Sequence, residues 1–436
     1  YNYYIPFNLW SVSSGNNNNR YDIGDYCHFS YGRIKKAVLN FLINLERKNK
    51  LFTFKAYKKK TFMKETDLLH DITIREGGHV AKEINGQPGL WEKTYRHVAT
   101  KKEQLSAFLN DVFKISDLQI VLSGAGSSAF IGEILQQSFQ INTNIPTIVI
   151  PTTDVVTHPK GLFKPSTPTL LISFARSGDS PESVATFDLA EKFHDVIYHL
   201  IITCNPEGNL AKKAYNKNNA YVFALPEESN DKALAMTGSF TSMVLAGLLI
   251  SDINNFKTNS GSTEKLVKYG KSILKKFSAA LKKVSALNFK RVVFLGSGAL
   301  KGTAKESHLK LLEMTDGQIV CQYDSFLGFR HGPRAAIDDS TLLVYLFSSD
   351  PYVYKYEADL VKSINQTEQF LFSIGVGQCL CELGNLPVSL AIDLCCEGKK
   401  IPDDFFSVCA VVPAQILGLY QSVALGLTSD SPSQNG

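Results

Sequence analysis

The chain has 436 residues, room for two or three domains, and its 44% hydrophobic and 20% charged residues are the balance of a soluble globular protein. The longest unbroken apolar stretch, residues 243–250, is far short of the roughly 20 residues a membrane span needs, and no secretory pattern opens the chain. The formal charge of +5 is uneven: residues 1–62 hold 11 Lys/Arg against 3 Asp/Glu, so the remainder is net negative and a nucleic-acid-binding reading would rest on that segment alone.

Residues 1–62 read as foreign to the rest of the chain. They carry a run of asparagines at 16–19, a run of lysines at 58–60 and seven of the 18 tyrosines, and the first methionine of the chain is Met63. Glu65 and Asp67 then stand early in a helical stretch, where acidic side chains suit the positive end of a helix. The expected start is Met63. A disordered basic extension and a nucleic-acid-binding tail are the other readings of 1–62, and 63–105 is expected to be a helical segment.

From 106 to 255 and from 264 to 436 one design occurs twice. Gln119–Ser123 is a short apolar run entering Gly124-Ala-Gly-Ser-Ser-Ala129, with a helical pattern over 130–138. Residues 291–295 are a second apolar run, entering Gly296-Ser-Gly-Ala-Leu-Lys-Gly302 and a helix to Met314. Further buried-type strands at 169–174 and 342–347 end in Ala-Arg-Ser-Gly-Asp-Ser180 and Ser348-Ser-Asp350. Glycine turns 172 residues apart and strand ends 175 apart indicate a duplicated α/β lobe. Continuous apolar strands alternating with helices predict parallel sheets covered on both faces. Residues 254–263, rich in Asn, Ser, Gly and Thr, read as the linker.

A glycine turn opening a helix places backbone N–H groups and a positive helix end at one point, which favours an anion. Gly126, Ser127 and Ser128 are the candidates there, joined by Arg176, Ser177 and Ser180 on the neighbouring turn. Gly124-x-Gly126-x-x-Ala129 also fits a loose dinucleotide fingerprint, but the acidic residue wanted about 20 positions on is displaced to Asp154. Clustered hydroxyl donors suit a monophosphate better than a pyrophosphate, so no cofactor is expected.

In the second lobe, Thr303, Glu306, Lys310 and Glu313 are spaced by three, four and three, which puts them on one helix face. His331 comes after them on a loop bounded by glycine and proline. Aldose–ketose interconversion needs a base over C1 and C2 and an acid–base group to open the ring, roles a carboxylate and a histidine fill. A solvated, salt-bridged helix face is the plain alternative. His70, His158 and His308 read as packing, capping or solvent residues, and the eight cysteines as buried thiols of a reducing cytoplasm rather than zinc ligands.

Several separated motifs resemble the tagatose-6-phosphate ketose/aldose isomerase (AgaS-type) branch of the SIS proteins. They are Asn85-Gly-Gln-Pro-Gly-Leu-Trp91, Leu122-Ser-Gly-Ala-Gly-Ser-Ser-Ala-Phe-Ile-Gly132, Ile172-Ser-Phe-Ala-Arg-Ser-Gly-Asp-Ser-Pro-Glu-Ser183, Thr203-Cys-Asn-Pro-Glu-Gly208 and Leu327-Gly-Phe-Arg-His-Gly-Pro333. The resemblance runs from Met63 to the C-terminus. It implies two SIS lobes, each a parallel five-stranded sheet flanked by helices, in a cytoplasmic homodimer or homotetramer without nucleic-acid or membrane partners. The implied substrate is a sugar phosphate, in galactosamine 6-phosphate deamination to tagatose 6-phosphate and ammonia. A plain tagatose-6-phosphate isomerase and a non-catalytic sugar-phosphate sensor are the alternatives.

A more distant likeness, to the isomerase lobes of glucosamine-6-phosphate synthase, implies phosphate binding by Ser127, Ser128, Ser177 and Ser180. It also implies a base at Glu313 with Lys310 and Glu306 beside it, and ring opening by His331 from a partner subunit. That relative has Glu where Gly328 stands, and a site-closing tail lysine beyond the end of this chain. The resemblance therefore implies weakened activity if Gly436 is a true terminus. His158, in a Thr-His-Pro turn the family shares, is a further candidate contact.

Overall fold

The computed structural model describes residues 78–383, 386–394 and 400–433, all within one compact unit, Met63–Gly436. The expectations for residues 1–62, for Met63 as a start, for His70 and for the last residues lie outside the described chain.

Helix α1 (His79–Val112) is continuous through Pro88 and buries Val80, Ile84, Leu90, Trp91, Val98, Leu105 and Leu109 along one stripe. The helical segment therefore passes position 105. The Gln-Pro-Gly-Leu-Trp motif lies inside this helix and is structural. Trp91 Nε1 donates to Thr241 Oγ1 at 3.0 Å, Thr241 donates to Gln87 Oε1 at 2.8 Å, and Gln87 Nε2 donates to Gln415 Oε1 at 2.7 Å. This buried network ties α1 to the middle and the end of the chain.

The first sheet holds β1 (Gln119–Ser123), β2 (Thr147–Val149), β3 (Thr169–Ala175), β4 (Ile197–Thr203) and β5 (Ala220–Ala224), ordered β2-β1-β3-β4-β5 and parallel throughout. Helix α2 (Ser127–Thr143) follows β1 and α3 (Pro181–Phe193) follows β3. The apolar run 243–250 belongs to α4 (Gly238–Ser251), a helix buried on every side. An all-round apolar helix belongs in a core, and α4 packs between α1 and α2.

Residues 254–263 are a correction to the linker reading. A 3-10 segment (Ile253–Asn259) leads without a break into α5 (Ser260–Ser272), and Phe256 stacks on Tyr95 of α1 at 4.7 Å between ring centroids. Burial of Phe256 and Asn259 fixes a segment whose polar composition alone predicts a loop.

The second sheet repeats the first. β6 (Arg291–Gly296), β7 (Val320–Ser325), β8 (Thr341–Leu346), β9 (Phe372–Gly377) and β10 (Leu390–Asp393) run parallel in the order β10-β9-β8-β6-β7, the same arrangement copy for copy. Helix α6 (Ala299–Met314) follows β6 and α7 (Pro351–Thr367) follows β8. Alternate strand residues serve different cores. Ile120, Leu122, Val292 and Phe294 join one shared core, whereas Val121 and Val293 join outer ones. Both sheets are thus covered on both faces, and α2 of one lobe packs against α6 of the other.

Helices α8 (Asp403–Ala410) and α9 (Val412–Ala424) close the chain against α5 and α6. Among the described residues theirs is the one helical stretch long and apolar enough to cross a membrane. However, 94% of its most apolar window is buried inside the fold. It is a core element.

Candidate active site

The turn between β1 and α2 is built by Gly126, whose φ of 55° and ψ of −127° lie where an L side chain is strained. Gly298, at the matching turn of the second lobe, has φ 56° and ψ −129°. The two turns thus share one backbone geometry to within about 2°. The helix begins at Ser127 itself, three residues ahead of the sequence expectation, so Ser127 and Ser128 occupy its first turn.

The neighbouring turn is braced by the Thr-Cys-Asn-Pro-Glu-Gly motif. Asn205 Nδ2 donates to the Ser177 carbonyl at 2.9 Å, and a side chain at Gly208 would come within 2.2 Å of that same oxygen. Ser180 caps α3, its Oγ accepting from Ser183 N at 3.3 Å and donating to Ser183 Oγ at 2.8 Å.

These turns open into one cavity of about 240 Å³, on the order of a small ligand's volume. Gly126, Ser127, Ser128, Arg176, Ser177 and Ser180 all line it, together with Lys310 and Glu313 reaching across from α6. The two lobes thus contribute opposite walls. Ser183, Leu234 and Met236 line it too, and sequence reasoning missed all three. Ser183 closes the motif that begins at Ile172 and could have been found there. Leu234 and Met236 carry no local signal, because a long-range pin holds their loop in place. Asp231 Oδ2 accepts from Thr237 N at 2.7 Å and Ser239 N at 2.9 Å, Glu83 Oε1 accepts from Lys232 N at 2.6 Å, and Leu234 N donates to the Asp430 carbonyl at 2.9 Å. Arg176 donates to the Ala233 and Leu234 carbonyls at 3.0 and 3.2 Å, so its guanidinium faces the cavity already engaged with that loop.

Glu306, Lys310 and Glu313 form the expected set on α6, but at different depths. Glu306 is fully buried, whereas the Glu313 side chain is 32% exposed at the cavity. Lys310 Nζ lies 2.6 Å from Glu313 Oε2 and 3.4 Å from Glu306 Oε1, and Ser127 Oγ donates to Glu306 Oε1 at 3.0 Å. The remaining Glu306 oxygen, Oε2, is buried without a hydrogen-bond partner. Burial pushes the Glu306 carboxyl up to about 7 against the opposing pull of Lys310, with Glu313 adding to the rise. Burial would lower the Lys310 ammonium, but the two carboxylates outweigh it and hold it above its ordinary value.

His331 is exposed on its loop and does not line this chain's cavity. His158 is exposed, with Nδ1 against Thr157 Oγ1 at 2.9 Å, and is likewise outside the cavity. His308 packs on Tyr323 and bonds the Lys305 carbonyl, a packing role.

Residues 115–251 match the SIS domain family model. The D-galactosamine-6-phosphate deaminase AgaS of Shewanella sp. (strain ANA-3) is 37% identical over 359 residues, which cover 82% of this chain and 88% of that protein. The chain belongs to the AgaS family of SIS proteins. An Escherichia coli protein of the same name is 36% identical over 365 residues, covering 83% of this chain and 93% of that one. A solved tagatose-6-phosphate ketose/aldose isomerase from Escherichia coli is similar with a TM-score of 0.75 at 35% identity, covering 82% of this chain and 95% of that one.

Within this AgaS-family chain the second lobe keeps the turn but satisfies the donors beside it from inside the chain. Ala299 and Leu300 stand where the first lobe has Ser127 and Ser128. On the neighbouring turn Ser349 N and Oγ donate to Asp403 Oδ1 at 2.9 and 2.7 Å, Ser348 Oγ donates to Asp403 Oδ2, and Ser348 N donates to Glu357 Oε2 at 2.9 Å. The carboxylate of Asp403 thus takes up the donors of this turn within the chain. Asp403→Ala is expected to lower stability by about 2–3 kcal/mol, since it strands these donors and frees the start of α8. Urea denaturation measures it, and a change under about 0.5 kcal/mol would count against the anchor.

Glu357 resembles Glu306: burial pushes its carboxyl up to about 7, against bonds from Ser297 and Ser348 N. A carboxyl raised from 4.5 in the unfolded chain to about 7 in the fold makes the native state the better proton binder between those values. Its stabilising contribution is complete below the unfolded value and lost as pH rises through about 7. Each group accounts for on the order of 3 kcal/mol. The melting temperature is therefore expected to fall between pH 5 and pH 8, and to fall less in Glu306→Gln with Glu357→Gln. A wild-type melting temperature that climbs over that interval would contradict it.

Proposed function

We propose that this protein converts galactosamine 6-phosphate to tagatose 6-phosphate and ammonia, without a cofactor. The observation that carries this reading is the two-walled cavity: hydroxyl and backbone donors on one wall, suited to a phosphate dianion, and the Lys310–Glu313 pair on the other. Gly126, Ser127, Ser128, Arg176, Ser177 and Ser180 hold the phosphate end, directly or by shaping its turns. Glu313 then faces the far end of the bound, opened sugar. It takes the proton from C2 to form an enolamine and returns it to C1, leaving an imine at C2. Water adds to that imine, ammonia leaves, and the ketose phosphate remains.

His331 is assigned to ring opening in a second copy's cavity, which makes the active species a homodimer or a larger homo-oligomer. What supports this is its exposure away from its own chain's cavity. Mixing inactive Glu313→Gln with inactive His331→Ala is then expected to restore about a quarter of wild-type activity. Random pairing makes half the dimers mixed, and each mixed dimer keeps one complete site. No recovery, with subunit exchange verified, would place His331 in its own chain's chemistry or outside it.

Ammonia release with galactosamine 6-phosphate, coupled to glutamate dehydrogenase, tests the reaction directly. Its appearance supports the deaminase. Conversion of tagatose 6-phosphate without ammonia would leave the plain isomerase. Silence in both assays, with sugar phosphate still bound, would leave a sensor.

A further inference from the structure

Beyond the roles just assigned, the cavity contains a hydrogen bond that points the wrong way for its proposed ligand. A hydroxyl has one hydrogen to give. In this structure Ser127 gives it to Glu306 Oε1, across the boundary between the lobes, at 3.0 Å. While that bond stands, Ser127 can accept from a ligand in the cavity but cannot donate to it, and phosphate oxygens only accept. Glu306 meanwhile keeps Oε2 buried without a partner, so no hydrogen bond on that oxygen supports the charged form, and a proton on Oε1 would face Ser127 Oγ.

We propose that binding of a phosphate monoester at the α2 turn is coupled to uptake of one proton by Glu306, through reversal of the Ser127–Glu306 hydrogen bond. The protonated carboxyl donates to Ser127 Oγ, and the hydroxyl hydrogen turns to the ligand. A dianion on the other side of Ser127 adds like charge next to a buried carboxylate, which favours the neutral acid. Burial has already brought Glu306 to about 7, so the protonation is within reach at ordinary pH. Glu306 acts here as a positioning residue. Once it is neutral, Lys310 has one anionic neighbour left, Glu313 at 2.6 Å.

The ionisable groups acting directly on Glu306 are Lys310 and Glu313 of its own helix. Those on the elements packed around α6 are engaged elsewhere. Glu133 of α2 pairs with Lys305, Asp404 of α8 accepts from Ser138, and Asp403 accepts from Ser348 and Ser349. Arg291 of β6 pairs with Asp338, Tyr323 of β7 packs on His308, and Asp324 accepts from Ser325 N. On α9, Tyr420 lies against Lys282.

The inference rests on the reading that the α2 turn takes the substrate's phosphate. The test is titration calorimetry with galactitol 6-phosphate, which has no carbonyl and does not react, at pH 8 in two buffers of different ionisation enthalpy. The difference in heat gives the protons taken up. Wild type is expected to take up most of one proton per site, and Glu306→Gln about none while still binding. Equal uptake by wild type and Glu306→Gln would overturn the coupling and leave the phosphate site standing. Wild-type binding that Ser128→Ala with Ser177→Ala leaves unweakened would overturn the phosphate site, and the coupling with it. If Glu306→Gln does not fold, Ser127→Ala decides: it breaks the connection and spares the carboxyl, so unchanged uptake there sinks the proposal.

Discussion

Glu313→Gln is expected to cut ammonia release at saturating substrate by about 10²–10⁴-fold, the usual range for losing a positioned acid–base group. The affinity for galactitol 6-phosphate should change by less than about threefold, because the amide keeps the shape and still accepts from Lys310. Two carboxylates on α6 compete for the role of base, and depth separates them. Glu313 lies at the cavity, 32% exposed, whereas Glu306 is sealed at 0% between the lobes and does not line the cavity. A proton on a sugar carbon can reach the first and not the second without an intermediary. Stopped assays of ammonia and of tagatose 6-phosphate, run together, read both products of one turnover. A loss below tenfold in both would remove Glu313 as the base.

The parts of this molecule legible beforehand were those whose cause is local. A turn that favours glycine, followed by a helix, marks both lobes at Gly126 and Gly298. The spacing of Glu306, Lys310 and Glu313 gives their common face, because helical geometry is a property of the chain alone. Depth along that face is not, since it depends on α2 packing over Glu306. The same limit explains the misreading of residues 254–263, where Phe256 finds Tyr95 over 160 positions away and composition loses to burial. Asp403 illustrates it again. Its serine partners lie more than 50 residues upstream, and nothing near it in sequence marks it as their acceptor. The loop bearing Leu234 and Met236 is set by Glu83, Arg176 and Asp430, which come from three distant parts of the chain.

Lys310→Met is expected to cost about 3–5 kcal/mol of stability at pH 8, the largest structural effect at this site. Lys310 is 1% exposed and, among the described residues, is the one cation placed between Glu306 and Glu313. A buried pair need not contribute much net stability over an apolar substitute. Removing one partner is different, because it leaves the other charge desolvated and uncompensated. Here the stranded group is Glu306, and it can escape by taking a proton. The cost should therefore shrink toward pH 5, where the carboxyl is neutral whether or not Lys310 is present. Adding Glu306→Gln to Lys310→Met should recover most of the loss at pH 8, because no buried charge then remains. Guanidinium unfolding of the two single variants and the double variant at both pH values closes the cycle. A Lys310→Met cost that is the same at pH 5 and pH 8 would mean that lost packing of the lysine stem, not the stranded carboxylate, accounts for the damage.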